Sequence, residues 1–139
     1  MPTLAHAIAL AVKAHQGQVD RAGQPYILHP LRVMFQLESD LDRIVAILHD
    51  VVEDTTYTFA DLRQMGYSEE VIAALDGVTR RDEESYEEFV ERSAQNPISR
   101  RVKLADLTDN MDIRRLDGEL SDKEVVRLKR YQRAWQRLQ

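Results

Sequence analysis

The apolar residues of this 139-residue chain recur at helical spacing almost from one end to the other. Near the N-terminus Leu4, Ile8 and Ala11 follow the 3.6-residue period, and the most apolar stretch, 41–48, is patterned in the same way. No segment shows the alternation of apolar and polar residues that is typical of a half-buried strand, and the chain has no internal repeat. The pattern predicts an all-α fold, a bundle of about eight helices joined by short connections.

Residues that begin and end helices divide this pattern into short segments. The predicted N-caps are Thr3, Asp40, Thr58, Ser68, Ser85 and Ser121. After the last two of these caps, a Glu three residues later completes a capping box. Pro30 suits the first position of a second helix, and Pro97 begins a helix that is predicted to run for about 17 residues.

Size and composition limit the class of protein. At roughly 100–200 residues per domain, residues 1–139 are expected to form a single domain. The chain has no cysteine, which excludes disulfide scaffolds, cysteine-rich zinc modules and thiol nucleophiles. We find no signal peptide or membrane span, and so we expect a cytoplasmic protein without a membrane partner. The net charge of −5 argues against binding to a nucleic-acid polymer.

Ionisable residues interrupt the apolar pattern at a few positions that matter for chemistry. The segment 49–55, His-Asp-Val-Val-Glu-Asp-Thr, follows the most apolar helix, so His49 and Asp50 emerge where a buried helix ends. His29 stands between two prolines, and Asp106 lies on an apolar helical face, where an unpaired charge would cost several kcal/mol. One metal held by all four residues would explain this pattern, although a core histidine bonded to a neighbouring carboxylate would explain the His49–Asp50 pair alone.

Four segments of the chain, 14–30, 49–55, 76–80 and 102–111, contain recognisable motifs. In this order and spacing they resemble the hydrolase domain of the Rel/Spo alarmone family, within the His-Asp (HD) phosphohydrolase superfamily. The small stand-alone Mesh-type alarmone hydrolases are the members that the chain resembles most. The resemblance extends from about residue 5 to residue 116 and implies a helical HD-domain fold.

The resemblance also implies a reaction and a set of site residues. Members of the family remove the 3′-pyrophosphate from guanosine tetra- and pentaphosphate, the alarmones of the stringent response. The positions of Glu53 and Asp54 match the acidic pair needed for hydrolysis, and the position of Asn110 matches a nucleotide contact. The metal is implied to be a single divalent ion, usually manganese, at the positions of His29, His49, Asp50 and Asp106.

The chemistry of phosphate ester hydrolysis agrees with these residue types. A metal neutralises phosphate oxygens and acidifies water, and histidine and carboxylate ligands suit manganese, zinc or iron equally. Glu53 lies four residues after His49, about one turn if the helix persists. It would then orient or deprotonate the attacking water, and Asp54 would share that role. A solvated loop is the alternative explanation of this acidic pair.

A phosphorylated nucleotide also needs cationic and aromatic contacts. The candidates for these contacts are Arg21, Tyr26, Arg80, Arg81 and Lys103. Each of the basic residues is explained equally well as an ordinary surface charge, and Tyr26 either stacks on a base or simply packs beside proline. His6 and His15 fall on the first helix, and we interpret both as structural.

Two departures from the family pattern leave the substrate open. Asp20 stands where the family has an arginine that packs against guanine, and a carboxylate cannot replace that cation. Asp109 stands where relatives often carry histidine or tyrosine. Guanosine tetraphosphate is therefore the first substrate to test. The alternatives are another phosphorylated nucleotide, such as the 2′-phosphate of NADPH, or a nucleotide-binding module without turnover. The apolar positions of the last helix belong either to the core or to a homo-oligomer interface.

Overall fold

Nine α-helices make up the fold, and a computed structural model describes all residues, 1–139. The helices are α1 (Leu4–Ala14), α2 (Leu28–Phe35), α3 (Asp40–Leu48), α4 (Val51–Asp54), α5 (Phe59–Gln64), α6 (Glu69–Gly77), α7 (Tyr86–Ala94), α8 (Pro97–Asn110) and α9 (Asp122–Leu138). A 3-10 turn, Ile113–Arg115, follows α8, and an isolated bridge joins Val19 to Pro25. The all-α prediction is confirmed. No helix is both long enough and apolar enough to cross a membrane.

The bounds of the helices follow the capping residues closely, with three differences. Ser39, not Asp40, is the N-cap of α3, because its hydroxyl accepts from the amide of Asp42. Pro30 is the third residue of α2; any first-turn position suits proline, since its missing N–H has no partner within the helix. The α8 helix has 14 residues, fewer than predicted, because Asp112 caps a separate turn through the amide of Arg114.

The main core is built around α3, which contacts α1, α2, α6 and α8. Its residues from Ile44 to Leu48 are buried, together with Val33 of α2 and Val51 of α4. A second, smaller cluster joins α7, α8 and α9 through Val90, Leu107 and the buried end of α9. The end of α3 therefore lies among packed helices, so polar side chains that follow Leu48 are removed from solvent.

The helices α6 and α8 approach each other closely at Gly77. A Cβ atom at this position would lie 2.2 Å from the Ser99 Oγ and 2.8 Å from the Ser99 Cβ. The Ser99 hydroxyl donates to the carbonyl of Ala74, and the Ser93 hydroxyl donates to the carbonyl of Gly77, so both serines are fixed in place. A side chain at position 77 would have to push the two helices apart.

Replacement of Gly77 by alanine is expected to lower the free energy of unfolding by about 1–3 kcal/mol, the cost of overpacking. Helix propensity alone would favour alanine by up to about 1 kcal/mol, so a loss of stability identifies the steric clash as its cause. Urea denaturation measures the difference. The double variant Gly77→Ala/Ser99→Gly removes both clashing atoms and should recover part of the loss. A stabilised Gly77→Ala variant would contradict the close approach.

Candidate functional site

Four ionisable side chains from three parts of the chain meet at the end of α3. His49 is the C-cap of α3 and Asp50 precedes α4, so the chain changes direction between the two helices at this pair. His29 is the second residue of α2, and Asp106 lies in the C-terminal half of α8. All four residues are buried. The structure therefore brings together the complete set of predicted metal ligands.

The donor atoms of these residues converge within a small space. The distance from His29 Nε2 to Asp106 Oδ1 is 2.9 Å. His49 Nε2 lies 3.0 Å from Asp50 Oδ2 and 3.3 Å from Asp106 Oδ1, and His29 Nε2 lies 3.8 Å from Asp50 Oδ2. Nitrogen and oxygen ligands bind a transition metal at about 2.0–2.2 Å, so donors on opposite sides of an ion are separated by up to about 4.4 Å. The observed separations fit this size.

The two imidazoles are oriented with Nε2 toward the centre of the cluster. His49 Nδ1 lies 2.6 Å from the carbonyl oxygen of Ala46, and His29 Nδ1 lies 2.6 Å from Asp109 Oδ2. An Nδ1–H that donates to such an acceptor leaves the Nε2 lone pair free for a metal. His49 Nε2 is buried and has no hydrogen-bond partner. This orphaned nitrogen, beside two carboxylates, is the observation that best fits a divalent metal.

The electrostatics of the cluster favour a cation. Burial lowers the pKa of His49, but the charges and close contacts of Asp50 and Asp106 together outweigh this effect and raise the pKa well above its ordinary value. Burial also raises the pKa of Asp106, but the ammonium of Lys103 contributes to lowering it well below the usual range. The carboxylates therefore stay ionised and attract positive charge to the imidazoles. A metal ion would take the place of the protons.

Three residues that the sequence predicts as substrate contacts donate hydrogen bonds to the carboxylates of the cluster. The Tyr26 hydroxyl donates to Asp50 Oδ2 at 2.5 Å. Lys103 Nζ donates to Asp106 Oδ2 at 2.9 Å, and Asn110 Nδ2 donates to Asp106 Oδ1 at 3.1 Å. Lys103 is buried, so little of its ammonium group is available to a phosphate. The contacts fix the orientation of both carboxylates.

Glu53 and Asp54 lie on α4 at the edge of the cluster. Their carboxylate oxygens and that of Asp50 lie within 4.8 Å of one another. The helix does not persist from His49 to Glu53, because α3 ends at Leu48 and the chain turns before α4. Both carboxylates reach solvent, but the surrounding protein partly shields them. Partial burial raises the pKa of both groups, and the charge of Asp50 adds to the effect.

A cavity of about 530 Å³ opens onto the four candidate ligands and the acidic pair. Its volume lies within the range of small-molecule sites, about 300–1,000 Å³. Arg21, Tyr26, Lys103 and Asn110 line it, whereas Arg80 does not. Arg80 donates to the carbonyl of Glu84, and Arg81 pairs with Asp76 outside the cavity. Three further residues that sequence reasoning missed as functional groups, Arg32, Asp109 and Arg115, lie at or beside this cavity.

Comparison with curated proteins finds relatives among large alarmone enzymes. The bifunctional (p)ppGpp synthase/hydrolase SpoT of Escherichia coli K12 is 33% identical over 123 residues, which cover 78% of this chain and 17% of that protein. A GTP pyrophosphokinase of Myxococcus xanthus is 34% identical over 137 residues, 86% of this chain and 18% of that protein. The chain is homologous to part of the SpoT/Rel proteins. The predicted resemblance to the Rel/Spo alarmone family is confirmed. The chain spans less than a fifth of the length of these relatives.

A solved structure supports the fold of this SpoT/Rel homologue. It belongs to a metazoan ortholog of SpoT described as hydrolysing ppGpp. The TM-score is 0.83 at 22% sequence identity, and the match covers 100% of this chain and 88% of that one. The two chains share a fold. No family model matches the chain.

Asp20 organises the loop in which the family's arginine would stand. Its Oδ1 atom accepts from the amides of Ala22 and Gln24, both at 2.9 Å. Asp20 also lines the cavity onto which the candidate metal ligands open, so a carboxylate occupies part of its wall. An arginine side chain cannot accept these two hydrogen bonds. An arginine at position 20 would therefore leave these two amides without the acceptor that they have here.

Asp109 contacts Nδ1 of His29, the ring nitrogen that does not face the other candidate ligands. The hydrogen bonds of Asp109 with His29 and Arg32 outweigh the effect of burial and hold its pKa at about 2, so it is a carboxylate. It lies three residues after Asp106, nearly one turn along α8, and so on the same face of the helix. That spacing is the signal in the sequence that could have placed Asp109 beside the candidate metal ligands. The spacing does not show that Asp109 contacts α2, because that contact depends on how the helices pack.

Replacement of Asp109 by asparagine should weaken metal binding about 10–100-fold, the usual cost of losing a carboxylate that orients a histidine ligand. The amide keeps the shape of the carboxylate but not its charge, so His29 Nδ1–H is held less firmly. Competition of manganese with a fluorescent chelator measures the affinity. Asp117→Asn, at an exposed position, is the control. Equal affinities for wild type and Asp109→Asn would show that Asp109 does not orient the ligand.

Proposed function

We propose that this protein is a metal-dependent hydrolase that removes the 3′-diphosphate from guanosine-3′,5′-bis(diphosphate). The observation that carries this proposal is the buried group of His29, His49, Asp50 and Asp106, with the unpartnered Nε2 of His49 at its centre, opening into a cavity. A relative in Aquifex aeolicus bears the name of this activity and is 32% identical over 117 residues, which cover 76% of this chain and 17% of that protein. The absence of cysteine agrees with the cytoplasmic location that we propose.

The four residues would hold one divalent ion, and manganese is the metal that we propose. When bound, it would supply a Lewis acid that neutralises charge on the phosphate oxygens and makes water more acidic. The donor set of two imidazole nitrogens and two carboxylates suits iron and zinc as well. Elemental analysis of the purified protein identifies the native metal.

The side chains around the cluster have separate roles in this proposal. The Glu53 carboxylate accepts the proton of the attacking water at one of its oxygens, and the neighbouring Asp54 orients that water. Tyr26 and Lys103 hold Asp50 and Asp106 in fixed positions through the contacts at 2.5 and 2.9 Å. Fixed donors and acceptors need no rearrangement as charge develops on the phosphate, and this favours the transition state.

Release of pyrophosphate from guanosine tetraphosphate tests the activity. The protein is loaded in turn with manganese, zinc or iron, and product is followed by chromatography. We expect turnover with at least one metal and none with the His49→Ala variant. Absence of turnover with all three metals would reject the alarmone hydrolase.

A substrate panel separates the remaining alternatives. NADPH is included because Asp20 lines the cavity in place of a base-stacking arginine. Phosphate release from NADPH without pyrophosphate release from guanosine tetraphosphate would favour a 2′-phosphatase. Calorimetric binding of guanosine tetraphosphate without any product would favour a nucleotide-binding module.

A further inference from the structure

Two arginines meet on one carboxylate at the wall of the cavity. Arg32 Nε and Nη2 donate to the two oxygens of Asp109 at 2.8 and 3.1 Å. Arg115 Nη2 donates to the backbone oxygen of Asp109 at 2.9 Å, and its Nη1 lies 3.4 Å from Asp109 Oδ1. Arg32 and Arg115 come from α2 and the 3-10 turn, and both line the cavity. Their side chains are 32% and 30% exposed, so each guanidinium is only partly covered.

The positive charge of this pair exceeds the negative charge that holds it. Asp109 is a single carboxylate and is also bonded to His29. The nearest second carboxylate, Asp112, lies 3.5 Å from Arg115 but is bound more closely by Arg114, at 2.8 Å. A guanidinium has five N–H donors, and Asp109 takes two from Arg32. Donors and net positive charge therefore remain at the cavity wall for an anion.

We propose that Arg32 and Arg115 bind the phosphate group of the substrate that is not hydrolysed. This inference rests on the proposed function, because guanosine-3′,5′-bis(diphosphate) carries diphosphates at two ribose positions. The metal cluster and the acidic pair serve the reacting diphosphate, so the other one needs cations elsewhere in the same cavity. Planar guanidinium groups bind phosphate oxygens through paired hydrogen bonds, which favours this pair as the second site.

The other basic residues of the cavity are less suited to this role. Lys103 is buried and bound to Asp106, and Arg21 is exposed on the loop that Asp20 organises. Arg32, by contrast, is fixed by two hydrogen bonds to the buried Asp109. Asp109 also contacts His29, so one carboxylate lies between the arginines and this candidate metal ligand. The arginines and the candidate metal ligands line one cavity, so together they would suit a substrate with two phosphate groups.

Binding of GDP to the metal-free protein tests the site directly, because GDP carries a 5′-diphosphate and no 3′-phosphate. Isothermal titration calorimetry is applied to wild type, Arg32→Gln, Arg115→Gln and the control Arg114→Gln. Arg114 is the neighbour of Arg115, but its side chain is 87% exposed and it does not line the cavity. We expect about tenfold weaker binding for Arg32→Gln and for Arg115→Gln, the usual loss of one charge-assisted hydrogen bond, and no change for the control. No binding by wild type, or equal weakening in Arg114→Gln, would overturn the proposal.

Kinetics provide a second readout that separates recognition from folding and from metal loss. Arg115→Gln should keep its full metal content and its kcat for guanosine tetraphosphate while KM rises about tenfold. A guanosine 3′-diphosphate substrate, which lacks the 5′-diphosphate, should show no such change. An equal rise in KM for both substrates would reject the second site. If no metal supports hydrolysis, the proposed function fails, but the GDP titration still decides whether the arginines bind a diphosphate.

Discussion

Replacement of His49 by alanine is expected to abolish metal binding and to lower hydrolysis by roughly a thousandfold or more. The imidazole contributes the central Nε2, which lies 3.0 Å from Asp50 and 3.3 Å from Asp106 and has no other partner. Lewis-acid stabilisation of a phosphoryl transition state is worth several kcal/mol, and each 1.36 kcal/mol is a factor of ten in rate. Elemental analysis and pyrophosphate release measure the two effects independently.

The choice of His49 avoids an ambiguity that a carboxylate variant would introduce. In Asp106→Ala the buried ammonium of Lys103 would lose the partner that it contacts at 2.9 Å. A buried charge without its partner costs about 3–5 kcal/mol, so loss of metal would be mixed with unfolding. In His49→Ala the ammonium of Lys103 keeps its contact with Asp106, and Asp50 keeps the hydrogen bond from Tyr26, so no buried charge loses its last partner.

His6→Ala is the matched control, because His6 is an exposed histidine on α1 that bonds only to its own cap, Thr3. It should retain full metal content and full activity. Full metal stoichiometry in His49→Ala would remove this residue from the site and with it the metal centre that we propose.

The sequence predicted the local structure well because capping depends on neighbouring residues. The capping boxes predicted at Ser85 and Ser121 are present, and the predicted N-caps Thr3 and Thr58 form capping boxes as well. Two assignments shift by one or two positions. Ser39 rather than the adjacent Asp40 caps α3, and Pro30 is the third rather than the first residue of α2. Such differences reflect small energies within one turn, and they leave the path of the chain unchanged.

The grouping of the four candidate metal ligands was predictable for a different reason. His29 and Asp106 are 77 residues apart in the sequence and 2.9 Å apart in the structure. Asp106 lies on an apolar helical face, which indicated that it is buried, and a buried ionisable group requires a partner. His29, which stands between two prolines, was a candidate for that partner. Pairing all such groups with one another brings the ligands together without any knowledge of helix packing.

The outer residues of the cavity depended on packing and could not be predicted in that way. Arg32 and Arg115 have the sequence surroundings of surface bases, and only the contact of α2 with α8 brings Arg32 to Asp109. Arg80 is the opposite case, a predicted substrate contact that does not line the cavity. The segment that contains it is held by Arg92, which donates to the carbonyl of Thr79 and to the carboxylate of Glu84. That anchor fixes the direction of the segment, and Arg80 lies outside the cavity.

Replacement of Glu53 by glutamine is expected to lower kcat by about 10²–10⁴ while metal content stays complete, because the amide cannot accept a proton from water. The side chain keeps its shape, and its oxygens are not among those that converge with the imidazoles of the cluster. Single-turnover pyrophosphate release measures the chemical step, and elemental analysis confirms that metal is present. Glu83→Gln, at an exposed position between α6 and α7, is the control.

Asp54→Asn and the double variant Glu53→Gln/Asp54→Asn test whether the two carboxylates act on the same water. If Glu53 takes the proton and Asp54 orients the same water, the two losses are not additive, and the double variant is little slower than Glu53→Gln alone. If the two carboxylates act independently, the losses multiply. Full activity in both single variants would mean that the pair is a solvated segment of α4. Hydrolysis would then have to draw its base from elsewhere in the cavity, where Asp20 and Asp112 are the remaining exposed or half-buried carboxylates.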